Sequence, residues 1–201
     1  MTKPRTKQHD IAEETRTRYR ERVEAIRNDN RFTTAAKQQA MAKLYRDTNY
    51  QLQQLGEERD AALNSKRAAL EADMFGLPKY ASTSDTLSYR DALDRVSRAE
   101  DAPALIALYE TAALSNDTIL SKAILAKAYN AGELDVVNRY LEDHTTQQDR
   151  AQELWDIRYG DDNPNQMFQE AIDDWVFQAD KPSEIRGLPN SALEEMAEAS
   201  D

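Results

Sequence analysis

The sequence predicts an all-α protein, with a long N-terminal helical hairpin or coiled coil followed by a compact multi-helix bundle. Three observations carry this. Only 5 of the 201 residues are Gly and 6 are Pro, too few turn formers for a many-stranded β protein. Hydrophobic residues make up 40% and charged ones 31%, the balance of helices with wide solvated faces. The apolar residues also recur at helical spacings along almost the whole chain.

The first helix is expected over residues 8–28, where Ala12, Tyr19 and Ile26 recur at heptad intervals and Val23 lies between the last two. Arg16 sits on the same seam and is polar. Asn28-Asp29-Asn30 breaks the pattern, because short amide and acid side chains compete for backbone hydrogen bonds. Thr33 or Thr34 then caps a second helix. From Thr34 to Met74 there is no proline and one glycine, Gly56. Met41, Leu44, Thr48, Leu52, Leu55, Ala62, Leu63, Leu70 and Met74 form its stripe, and some forty residues at 1.5 Å each span about 60 Å. The first helix covers only half of that. Leu55, Leu63, Leu70 and Met74 are therefore expected to present an apolar surface to another domain or subunit, and Gly56 is a position where the rod can split or kink.

Phe75-Gly76-Leu77-Pro78 reads as a helix stop. The domain division expected from these signals is 1–75 for the hairpin, 76–87 for a linker, 88–160 for the bundle and 161–201 for a C-terminal helix with an acidic tail. In the bundle, Ser88 with Asp91 resembles a capping box. Asp101 with Pro103 opens the next helix, Asn116 or Asp117 the one after, and Gly132 closes it. Leu134 to Leu141 form a fourth, and Thr145 or Thr146 caps a fifth that carries Leu154, Trp155 and Ile157. Pro164 starts a helix whose apolar face holds Phe168, Ile172 and Trp175. Core packing of Trp155 against Trp175 is the plainer expectation. Docking of another chain on Phe168, Ile172 and Trp175 is the alternative. Beyond about residue 180 the chain is expected to be extended unless it docks on a partner.

Charge is unevenly distributed within the net −11. Residues 1–75 hold 15 Lys and Arg against 12 Asp and Glu, whereas residues 76–201 hold 11 against 25. An acidic body repels nucleic acid, so a phosphate-binding role, the second functional reading, is confined to Lys3, Arg5, Lys7, Arg16 and Arg20. Interleaved Glu13, Glu14, Glu21 and Glu24 give the same region the look of a salt-bridged, solvated helix.

Recognisable chemistry is sparse. The absence of Cys removes thiolate and disulfide chemistry and points to a reducing compartment. The two histidines, His9 and His144, have no second histidine at ligand spacing. Asp161-x-Asn163-x-Asn165 begins like a calcium loop, but Gln166 and Ile172 stand where Gly and Glu are needed. Adjacent carboxylates such as Asp173-Asp174 diverge on a helix and cannot share a substrate. No phosphate loop or nucleophile elbow is present. The expectation is a non-enzyme with no catalytic residue, metal or cofactor. No apolar segment approaches the roughly 20 residues of a membrane span, and no signal-like apolar region follows the basic start.

The stretch Leu120-Ser-Lys-Ala-Ile-Leu-Ala-Lys-Ala-Tyr-Asn-Ala-Gly132-Glu-Leu-Asp-Val-Val-Asn-Arg-Tyr-Leu-Glu142, followed by Ala151-Gln-Glu-Leu-Trp-Asp-Ile157, resembles small helical proteins of the structural-gene region of tailed actinobacterial bacteriophages. The resemblance implies a virion or capsid-assembly component found in the bacterial cytoplasm or the virion. Its implied partners are capsid or connector proteins or further copies of the chain. The acidic, Cys-free make-up is also similar to phage scaffolding proteins, with the basic part here at the N-terminus.

Overall fold

Helix-forming composition, interrupted at intervals by capping residues, gives the computed structural model its elements. It describes residues 5–160 and 174–198. Among them are eight α-helices and no strand: α1 (Lys7–Asn28), α2 (Thr34–Phe75), α3 (Thr83–Ser97), α4 (Ala102–Leu114), α5 (Thr118–Ala131), α6 (Leu134–Asp143), α7 (Gln148–Tyr159) and α8 (Asn190–Glu198). Short 3-10 turns occur at Thr145–Gln147 and Ser183–Ile185. Lys3, Phe168, Ile172 and the calcium-loop-like turn with Pro164 lie outside the described residues.

The described residues of Leu63–Asp162 form one compact unit, the array, and those of Thr2–Ala62 and Asn163–Asp201 form another, the hairpin unit. The division falls within α2, between Ala62 and Leu63, whereas the sequence signals put it at 76–87. The physical reason is that Met74 and Phe75 are buried in the array core, with Leu70 packed against it. The last turns of α2 are therefore an array helix.

In the hairpin unit α1 and α2 run antiparallel. Ala12 clusters with Leu52, while Tyr19 and Val23 cluster with Met41 and Leu44. Lys37 Nζ closes the bend by donating to the Arg27 carbonyl at 2.7 Å. The Thr33 hydroxyl accepts from the Ala36 amide at 3.2 Å, so Thr33 is the cap of α2. Gly56 does not interrupt the helix. Phe177 lies over it, 3.5 Å from where a Cβ would stand.

The C-terminal segment departs from the extended tail expected of it. Ile185 and Ala197 are fully buried and Leu193 nearly so, with Ile185 and Leu193 packed on Tyr19, Val23 and Met41. Arg27 holds Glu184 through two hydrogen bonds, at 2.5 and 2.9 Å. That contact keeps the Glu184 carboxyl well below its ordinary range, at about 2. Burying Ile185, Leu193 and Ala197 here outweighs the ordering entropy that composition alone suggested would win.

The array centres on α5, which touches α3, α4 and α6. Its caps are local. Ser82 and Asp85 form a reciprocal capping box, six residues before the Ser88–Asp91 pair that the sequence suggested. Residues 83–87 of the expected 76–87 linker are therefore helix. Asp101 and Asp117 cap α4 and α5, and Gly132 ends α5 at φ 75°, a left-handed conformation that favours glycine. Leu125, Ala128, Tyr129 and Leu154 are fully buried. The Tyr129 hydroxyl donates to the Ala151 carbonyl at 2.7 Å, so burial leaves it satisfied.

The two tryptophans do not pair. Trp155 packs against Tyr129 and Tyr159 within the array, whereas Trp175 lies under the Arg16 guanidinium in the hairpin unit.

Candidate interaction surface

The N-terminal half of α2 presents three stripes. Met41, Leu44, Thr48 and Leu52 are buried on the α1 side. Gln38, Ala42, Tyr45 and Asn49 meet the C-terminal segment. Gln38 donates to the Glu184 carbonyl at 3.0 Å, Ala42 and Tyr45 pack with Ile185 and Leu193, and the Ala179 amide donates to Asn49 Oδ1 at 3.3 Å. Ala36, Ala40, Lys43 and Asp47 each stand two residues earlier, hence about 200° round the helix, on the opposite side of the hairpin.

On that opposite side a groove of about 620 Å³ opens between the two helices. Arg22 and Ile26 of α1, Phe32 of the connecting loop, and Ala36, Ala40 and Lys43 of α2 are among its walls. Phe32 is 46% exposed at one end, and Tyr50, on the adjoining face of α2, is 62% exposed. The hairpin thus has two sides, of which its own C-terminal segment fills one and the other is an open groove.

The residues that the sequence put forward as a partner-binding stripe are not brought together as a free surface. Met74 is buried and Leu70 is packed against the array core. Leu55 packs beside Ala12, Leu52 and Phe177 in the hairpin unit, and Leu63 is half-buried. The chain itself covers most of that stripe, because α7 and the C-terminal segment supply apolar side chains that a two-helix reading could not assign. Trp175 remains half-exposed.

Of the basic residues put forward from the sequence, Arg5, Arg16 and Arg20 line one groove of about 440 Å³ together with His9, Glu13 and Trp175. Arg16, with its side chain only 3% exposed, donates to the Trp175 carbonyl at 2.5 Å and to Asp180 Oδ2 at 3.0 Å, and its guanidinium lies 3.8 Å from the Trp175 ring centre. It is a structural cation, closed to a phosphate. Arg5 binds Asp10 and Glu13, and its pKa is raised chiefly by the Glu13 hydrogen bond. Lys7 and Arg20 are exposed. A polar residue on an apolar seam was the signal for Arg16. Nothing in the sequence could show that its partners lie at 175 and 180.

His9 caps the start of α1, with its Nδ1 accepting from the Thr6 amide at 3.1 Å, and packs edge-on against Phe177. The other polar cluster is in the array. The Tyr109 hydroxyl donates to Asp143 at 2.9 Å, Arg139 reaches the same carboxylate at 3.2 Å, and His144 stacks on Tyr140. Burial raises the Tyr109 pKa, and the Tyr109 hydrogen bond lowers that of Asp143, so at neutral pH the proton stays on the phenol. These groups satisfy one another beside a groove of about 670 Å³. Among the described residues no three His, Asp or Glu side chains are arranged to hold a metal, and no helix is long and apolar enough to cross a membrane.

No family model, curated protein or solved structure matches the chain.

Proposed function

We propose that the chain is a non-enzymatic structural or assembly protein, which acts by docking helices of other protein chains and is a component of a tailed-phage virion or of its assembly. The observation that carries this reading is the open side of the hairpin, a groove lined by Ile26, Phe32, Ala36 and Ala40 on the side opposite the C-terminal segment. A helical hairpin with one side filled by its own chain and the other accessible is suited to receiving a helix from elsewhere. The mutual satisfaction of Arg16, Tyr109, Arg139 and Asp143 supports the same reading, because those groups are engaged in holding the fold. The resemblance of residues 120–142 and 151–157 to helical phage proteins supports a virion or capsid-assembly role, with capsid or connector proteins as partners.

Purified particles and assembly intermediates from the native source, analysed by quantitative mass spectrometry, test this reading. The expected result is the chain at a fixed stoichiometric ratio to the major structural proteins. Its absence from particles and intermediates alike would contradict the assignment.

A further inference from the structure

The same side of α2 carries a pattern that reads alike in both directions, and we propose that its occupant is a second copy of this chain, docked antiparallel about a two-fold axis. This rests on the reading that the chain works through protein contacts, and it names the surface and the partner. Along the outward face Gln39, Ala40, Lys43, Asp47, Tyr50 and Gln51 follow one another. When a second α2 is laid antiparallel across the first, Lys43 stands opposite the partner's Asp47, and Asp47 opposite the partner's Lys43. In the same register Tyr50 stands over the partner's Ala40, and Gln39 faces the partner's Gln51.

Each pairing is complementary and each occurs twice, as an isologous contact requires. Opposite charges meet twice, at a position where a like-signed arrangement would repel. The large ring of Tyr50, 62% exposed in the single chain, meets one of the smallest side chains on the face. The groove beside Ala36 and Ala40 gives the partner's Tyr50 ring room to descend between α1 and α2. Asp47 is also reached by Arg46 of its own chain at 2.8 Å, which fixes the carboxylate on the outward surface. A parallel arrangement would set Lys43 against lysine and Asp47 against aspartate, so the charges select the antiparallel one.

Charge reversal on the full-length chain tests the inference. Sedimentation equilibrium is run at physiological salt from about 1 to about 100 μM, the range in which weak self-association is measured. Lys43→Glu and Asp47→Lys are each expected to weaken the dimer about tenfold or more, since each places like charges face to face twice. Combining them restores the opposite-sign pairing, and K43E/D47K is expected to return the affinity to near the wild-type value. Asp47 is exposed and Lys43 half-buried on the groove wall, and unchanged helicity by circular dichroism is the check that each variant folds. As a second readout, Ala40→Cys protein mixed with Tyr50→Cys protein forms a heterodisulfide; the chain has no other Cys to confuse the assignment.

A wild-type chain that stays monomeric throughout overturns the proposal. So does a dimer indifferent to both single reversals, or one that the double reversal fails to restore. The last two outcomes leave docking of helical partners intact, whereas absence from native particles strikes that broader reading independently.

Discussion

The two units of the chain bury their residues by different means. Among its described residues the array buries apolar and tyrosine side chains and, besides these, Ser121, which donates to the Asp117 carbonyl one turn back; the Tyr129 hydroxyl is satisfied by the Ala151 carbonyl and that of Tyr109 by Asp143. The hairpin unit buries His9, Arg16 and Thr48 beside its apolar residues, and the partners of Arg16 lie some 160 residues away in sequence. Short, individually capped helices with close sequence neighbours can form a core without such groups. Two long helices cannot enclose one, and need a distant segment fixed in register; the bonds of Arg16, Arg27 and Tyr19 to residues 175–184 supply that. One unit is specified by local signals and packing, the other by polar contacts that close a long loop.

The largest expected effect removes packing from the array. Leu125 is fully buried, and Leu125→Ala is expected to cost about 2–5 kcal/mol through lost burial and the cavity left behind. Urea denaturation of a Trp175→Phe background, in which Trp155 is the sole fluorophore of its kind, reads the array directly. A cost below about 1 kcal/mol would mean that the array core is looser than its burial indicates.

A smaller loss is expected from the polar closure of the hairpin unit. Arg16→Ala strips the donors from the Trp175 carbonyl and Asp180, at about 1–3 kcal/mol. Arg16→Met fills the volume and is expected to recover part of it. Fluorescence of Trp175 in a Trp155→Phe background reports both, and equal stability of wild type and R16A would remove the distinction between the units.

Acid sharpens the comparison further. The Glu184 carboxyl is depressed from 4.5 to about 2, so its stabilisation is present above the ordinary value and is lost as pH falls from there through about 2. The Arg27–Glu184 pair is partly solvated, which limits the effect to about 1 kcal/mol. Amides of residues 183–198 are expected to lose exchange protection across that window ahead of those of α5, and Glu184→Gln is expected to flatten the dependence.

The smallest effect has the opposite sign. Gly56→Ala replaces a poor helix former within α2, and its Cβ would meet Phe177 at an ordinary 3.5 Å contact. A gain of up to about 1 kcal/mol is expected, measured as a rise in melting temperature. A loss would mean that Phe177 requires the bare backbone there.

The sequence was most informative where the physics is local. The extents of α1 and α2, the Asp101 and Asp117 caps and the Gly132 terminator follow from spacing and side-chain chemistry within a few residues. Ser88 with Asp91 and Ser82 with Asp85 offer the same cap spacing, and the reciprocal bonds form at the earlier pair. Docking of residues 174–198 on the hairpin could not be read, because Ile185, Leu193 and Ala197 sit in a polar, acidic stretch whose partners lie far off along the chain. Once that docking is known, the open side becomes visible: the Ala36, Ala40, Lys43 and Asp47 stripe is the counterpart of the stripe that the C-terminal segment covers.

Sedimentation equilibrium of the wild-type chain beside Lys43→Glu most directly tests whether this open side joins protein chains. The wild type is expected to move from monomer to dimer mass with concentration and the variant to lag by about tenfold. A wild type that remains monomeric throughout, or a variant that associates equally well, would contradict it.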